Sequence, residues 1–292
     1  MKPELKLRLL AAVLVLTLGW AGSARAGTTI NAVNKYAYGA NVGWLNAYAD
    51  GINGAVVTDY TLSGFIYAAN VGWINLGSGA PANGIRYQNL SAGDFGVNND
   101  GLGNLRGYAW SANVGWLNFE NTGAPAVNLV TGQFSGYVWS ENCGWISLST
   151  AFSSLQTDHI LTGPLDVNGL PIPWELANFG ATGINPNGDA DHDGQSNLAE
   201  YLAGTDPNNA GDYLHITSIV RGAAGDPIRV DLMWTYKLTR LYRLEHRPTL
   251  SPPTPWQQYV TGFESLLGWS NYAFHDTSSN SFYRVEAVRP LP

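Results

Sequence analysis

The chain has 292 residues, of which only 13% are charged, about half the ~25% of an average globular protein. Apolar residues still make up 45% and aromatics 12%, which excludes a disordered chain. Its 34 Gly argue against a helical bundle and its single Cys excludes an intramolecular disulfide or a cysteine-rich zinc site, while the net charge of −7 argues against nucleic acid as a partner.

Residues 1–26 have the form of a secretory signal peptide. Lys2, Lys6 and Arg8 precede an apolar run, Leu9 to Gly19, that is short for a membrane span. Ala24-Arg25-Ala26 supplies small residues for cleavage before Gly27. Export to the extracellular space or cell surface is expected, with the periplasm as the alternative, and no membrane span after cleavage. The remaining chain carries 11 basic and 21 acidic residues. Within 27–211 the basic residues are Lys35, Arg86 and Arg106 alone, against 14 acidic ones.

Four segments then align without gaps: Tyr36 to Leu45, Phe65 to Ile74, Tyr108 to Leu117 and Tyr137 to Ile146. Trp44, Trp73, Trp116 and Trp145 recur at spacings of 29, 43 and 29, so a two-repeat unit is duplicated. The aromatics at the first and third positions share a strand face. Asn-x-Gly supplies a reversal, because Gly accepts the positive φ of a tight loop. With a further strand ahead of each hairpin, each repeat is predicted to be a three-stranded antiparallel meander. Cys143 replaces Val42, Val71 and Val114 and is expected to be a small buried residue. The repeated aromatics are expected to interlock as core; the alternative is that they are exposed and stack on sugar rings. The pattern resembles the Gly-Tyr-x-Trp-Ser-x-Asn-x-Gly-Trp-Ile units of exported bacterial proteins, and that resemblance implies no chemistry.

After a Ser/Thr/Leu-rich stretch comes Asp189-Ala-Asp191-His-Asp193-Gly194-Gln195-Ser-Asn197-Leu-Ala-Glu200. It satisfies every specified position of an EF-hand calcium loop. Calcium takes six to eight oxygens. Asp189, Asp191 and Asp193 supply carboxylates, Gln195 a backbone carbonyl, Asn197 a direct or water-mediated contact and Glu200 two closing oxygens. Gly194 permits the sharp turn. Asn197 is also a candidate N-cap for a helix over Leu198 to Ala203, ended by Gly204. His192 holds a non-ligand position and is expected to be exposed. Gly183, Pro186 and Gly188 argue against an incoming helix. The unit resembles dockerin and thrombospondin type 3 calcium repeats, which lack a full helix-loop-helix. A weaker copy runs from Asp166 through Asn168 and Gly169 to Glu175, with Pro164 and Ile172 where ligands would stand. It leaves a second ion open. Trp174, Leu176 and Phe179 are expected to pack on Leu198, Tyr201 and Leu202.

Six apolar runs follow: Tyr213–Val220, Ile228–Trp234, Leu241–Glu245, Trp256–Val260, Tyr272–His275 and Phe282–Val288. They suggest a β-sandwich. Trp234, Tyr242-Arg243-Leu244-Glu245, Trp256 and Phe282-Tyr283-Arg284-Val285 give it a resemblance to fibronectin type III-like domains. No motif of a metalloprotease, serine hydrolase or nucleotide-binding loop occurs, and the five His stand in unrelated contexts.

The expectation is a mainly β chain: a signal peptide at 1–26, an antiparallel β-meander repeat domain at 27–151, a linker at 152–165, a short α-helical calcium-loop segment at 166–211 and a C-terminal β-sandwich at 212–292. A non-catalytic, calcium-binding (Ca2+) structural or adhesive protein is expected, with a polysaccharide or a cell-surface or matrix protein as its partner. Carbohydrate binding through the repeat aromatics is the alternative, and a secreted hydrolase a more distant one.

Overall fold

The computed structural model describes residues 27–250, 255–263, 271–277 and 281–292. The expected signal peptide lies outside the described residues. The protein is mainly β with antiparallel sheets, and the described residues include two α-helices.

Each repeat folds as one hairpin. Ile30–Gly39 pairs with Gly43–Asn46, Phe65–Ala68 with Gly72–Asn75, Leu105–Ser111 with Gly115–Asn118, and Tyr137–Ser140 with Gly144–Ser147. Neighbouring hairpins join through Leu45↔Ala68, Ile74↔Ser111 and Asn118↔Trp139. Tyr38↔Ser147 and Gly39↔Ile146 then join the last strand to the first. The result is a closed eight-stranded barrel, which leaves no open edge along that sheet. The expected three-stranded meander is therefore corrected. A repeat gives two strands to the barrel, and the chain between hairpins forms short pairs such as Val56–Val57 with Leu62–Ser63 and Ala126–Val127 with Phe134–Ser135.

Strand alternation explains the interior. Leu45, Ile74, Leu117 and Ile146, each one place after a repeat Trp, are buried inside. Ala37, Ile66, Ala109 and Val138 form a second inward set, and Val42, Val71 and Cys143 are buried at the turn end. Each fully buried Leu, Ile or Val contributes about 1.5–3 kcal/mol. An eight-stranded barrel has room inside for side chains of about this size. Indoles do not fit there as well, so the alternation sends them outward. The expectation that the repeat aromatics form core is corrected by this geometry.

The repeat Asn has a role that a turn reading alone does not reveal. Asn70 Nδ2 donates to Val42 O at 3.2 Å, Asn113 Nδ2 to Val71 O at 2.8 Å and Asn142 Nδ2 to Val114 O at 3.1 Å. Asn41 Nδ2 donates to Cys143 O at 3.0 Å and closes the ring. Each turn is thus stitched to the turn before it. The Gly after each of these turns has the expected positive φ, between 73° and 81°.

Part of the stretch 152–165, expected as a linker, packs on the barrel instead. Leu155–Thr157 pairs with the first strand, and Leu155 and Ile160 are buried in the barrel core. Two helices follow, α1 (Ile172–Phe179) and α2 (Asn197–Ala203). The C-terminal strands lie where the six apolar runs predict them, but in two separate three-stranded sheets. Arg229–Trp234 is central in one and Leu241–Arg247 in the other. A small core of Val230, Leu232, Trp234, Tyr242, Leu244 and Phe274 serves both. The expected meander-plus-sandwich architecture gives way to a closed barrel carrying these smaller sheets. The chain end returns to the barrel: Ile160 N donates to Leu291 O at 2.7 Å, and Arg289 binds Asp59.

Candidate functional sites: an aromatic belt and an acidic loop

The outer face of the barrel carries one aromatic triplet per hairpin. Tyr38 faces Trp44, Tyr67 faces Trp73, Trp110 faces Trp116 and Trp139 faces Trp145 across each strand pair. Their ring centroids are 4.8 to 5.0 Å apart. Tyr36, Phe65, Tyr108 and Tyr137 complete the triplets at 6.0 to 6.2 Å. Trp44 is 50% exposed, Trp73 47%, and Trp116 and Trp145 44% each. Edge-to-face packing holds the rings in place while leaving surface free.

Loops wall two of the triplets. The longer connection after the second hairpin brings Phe95 to 5.2 Å from Trp116, and a cleft of about 410 Å³ opens there beside Asn89, Ser91 and Tyr108. A second cleft of about 280 Å³ is lined by Trp139, Trp145, Asn118, Glu120 and Thr122. Glu120 Oε1 accepts the Gly107 N–H at 3.2 Å, which fixes that carboxylate beside the rings.

The acidic loop draws three carboxylates together. One oxygen each from Asp189, Asp191 and Asp193 lies within 4.8 Å of the other two. Asp189 accepts the N–H groups of His192 and Gly194, at 2.8 and 3.0 Å. Asp193 Oδ1 accepts Gln195 N–H at 2.7 Å. These bonds curl the backbone round the cluster, and Gly194 takes φ +94°. His192 is exposed, as expected. Ser196, not Asn197, is the N-cap of α2, its hydroxyl accepting Ala199 N–H at 3.3 Å. The helix starts one residue earlier than predicted. Asn197 is left with Nδ2 bonded to Asn185 O and a buried, unpartnered Oδ1.

Glu200 is fully buried, and neither carboxylate oxygen has a partner. Asp191 Oδ2 and Asp193 Oδ2 are orphaned in the same way. Burial, then the charges of Asp191, Asp193 and Asp189, push the Glu200 carboxyl up to about 7. Buried carboxylate oxygens without donors are costly unless a cation satisfies them. The donor set of hard oxygens suits calcium.

The upstream copy is a smaller version of this arrangement. Glu175 is fully buried, and its Oε1 accepts Ile184 N–H at 2.8 Å while Oε2 has no partner. Asp166 Oδ2 is likewise orphaned. Burial raises the Glu175 carboxyl above its ordinary range, and the Asp166 charge adds to this. Ile172 begins α1, so no acidic side chain enters from that position. Trp174 packs edge-on against Phe179 and Tyr201, at 5.6 and 5.5 Å, with Leu170 beside them. Leu198 and Leu202, expected in this cluster, are exposed.

No protein family, no curated protein and no solved structure matches the chain. Among the described residues no helix is long and apolar enough to cross a membrane.

Proposed function

We propose that this protein is an exported, non-catalytic, calcium-binding adhesion protein whose barrel holds a neutral polysaccharide on its outer aromatic belt. The observation that carries this reading is the exposure of the repeat aromatics. Ten of the twelve triplet side chains are among the exposed large hydrophobics. Sugar rings offer flat C–H faces to such rings and hydroxyls to the amides and carboxylate beside them. The scarcity of basic residues in 27–211 favours an uncharged polymer, since an acidic surface repels polyanions. A fourfold repeated belt suits a ligand that itself repeats.

Calcium at Asp189, Asp191, Asp193, Gln195, Asn197 and Glu200 has a structural part in this proposal. It neutralises the acidic loop, so that α2 holds its place between the barrel and the C-terminal sheets. Tryptophan fluorescence titrated with soluble neutral polysaccharides, in calcium, tests the belt. A saturable change that Trp145→Ala weakens is expected. A flat response across all neutral polymers tried contradicts it.

A further inference from the structure

A cavity of about 610 Å³ lies where the barrel loops, α2 and the chain ahead of Leu241 meet. Most charges around it are already spent. Asp59 accepts from Arg289 at 2.8 Å through both oxygens. Lys237 pairs with Asp212. Arg240 donates to Leu202 O and Tyr201 O, at 2.6 and 2.8 Å, and closes the C-terminal end of α2. Asp100 accepts Leu102 N–H, Asn104 N–H and Asn104 Nδ2 within its own turn.

Among the described residues, three further polar groups at the cavity have bonding capacity to spare. Arg86 bonds through Nε to Asn99 O and lies 4.9 Å over the Tyr60 ring, while its two terminal nitrogens make no hydrogen bond among the described residues. Tyr201 Oη and Thr205 Oγ1 are buried and unpartnered, in residues only 7% exposed. Buried hydroxyls without partners are uncommon in folded proteins and call for an explanation. Trp174 and Tyr236 add ring surface to the same wall.

We propose that this cavity binds a hydroxylated monocarboxylate, an acidic sugar of the uronic-acid class. The free edge of the Arg86 guanidinium matches one carboxylate. The Tyr201 and Thr205 hydroxyls match ring hydroxyls, and the aromatic walls match the ring's C–H faces. Asp59 and Asp100 in the lining disfavour a dianion such as phosphate. The site is separate from the belt and does not depend on it.

The test is isothermal titration of the full, calcium-loaded chain with glucuronate, with glucose, acetate and inorganic phosphate in parallel. Saturable glucuronate binding at millimolar concentration or below is expected, tighter than each of the other three. Tyr201→Phe and Thr205→Val should each weaken it about five- to tenfold, the loss of one hydrogen bond, and Arg86→Gln about ten- to a hundredfold. Tyr201→Phe should melt with the wild type, because its hydroxyl has no protein partner to lose. No saturable glucuronate binding, phosphate bound more tightly, or Tyr201→Phe and Thr205→Val binding as wild type overturns the assignment. Belt variants such as Trp145→Ala should leave this binding unchanged.

Discussion

Replacing Glu200 with Gln should have opposite effects with and without calcium. Its carboxyl is fully buried, has no hydrogen-bond donor and is pushed up to about 7, from an ordinary value of 4.5. A folded value above the unfolded one means that ionisation opposes folding. In cation-free protein the penalty is absent below about pH 4.5, grows as pH rises, and is complete above about pH 7. At ~1.4 kcal/mol per unit the shift corresponds to roughly 3 kcal/mol. Water on the Asp189 side screens the cluster, and about 1–2 kcal/mol is the working figure. Glu200→Gln cannot ionise, so in chelator at pH 8 it should be more stable than wild type by that amount. At pH 4.5 the two should be nearly equal. Calcium at a hundred times its Kd should stabilise the wild type by about 2.7 kcal/mol and the variant by far less. The order of stability therefore inverts between chelator and calcium. Scanning calorimetry at both pH values, with and without calcium, reads this directly. The reasoning is refuted if chelated Glu200→Gln is the less stable protein at pH 8, or if it keeps the calcium-induced gain.

Two other outcomes follow from the barrel. Asn113→Ala removes the 2.8 Å bond to Val71 O and should lower stability to urea by about 1 kcal/mol, with similar losses at Asn70 and Asn142. Equal stability of wild type and variant would remove the stitched ring from the account. Cys143 is buried, so its thiol should resist a water-soluble thiol reagent until denaturant is added. Cys143→Val should be close to neutral, because Val occupies this place in the other three repeats. Cys143→Ser should cost about 1–3 kcal/mol in equilibrium unfolding, by leaving a hydroxyl in an apolar layer.

Much of the fold was legible where local pattern and tertiary placement agree. The Asn-x-Gly turns, the four hairpins and the six C-terminal strands follow from Gly conformation and period-two alternation. The spacing of Asp189, Asp191, Asp193 and Glu200 marks an acidic loop; the structure gathers the three aspartates, and Glu200 lies buried within reach of their charges but outside that cluster. Closure was not legible, because Tyr38↔Ser147 pairs residues more than a hundred positions apart and no local pattern encodes such a pairing. The direction of the aromatics is not fixed by alternation either. Alternation puts Tyr38 and Trp44 on one face but does not say which face is inside; the Ala, Leu, Ile and Val set on the other face carried that signal. The Asn197 cap failed by one residue, because Ser196 is an equally good cap and Asn197 is held by Asn185 instead. The cavity at Arg86 and Tyr201 is lined by six separate stretches of chain and leaves no trace in any one of them.

As a polysaccharide-binding surface, the outward rings should capture an insoluble polymer from suspension. Co-sedimentation with a panel of insoluble neutral polysaccharides, in calcium, tests it most directly. The comparison is between the wild type and a variant carrying Trp73→Ala, Trp116→Ala and Trp145→Ala. Each substitution removes a half-buried indole and its contacts with two or three rings, about 2–3 kcal/mol by buried area, so the comparison is made on a variant that circular dichroism shows to be folded. The wild type should pellet with at least one polymer while the folded triple variant stays in the supernatant. A folded triple variant that pellets as the wild type does, or a wild type that pellets with none of the polymers, would contradict it.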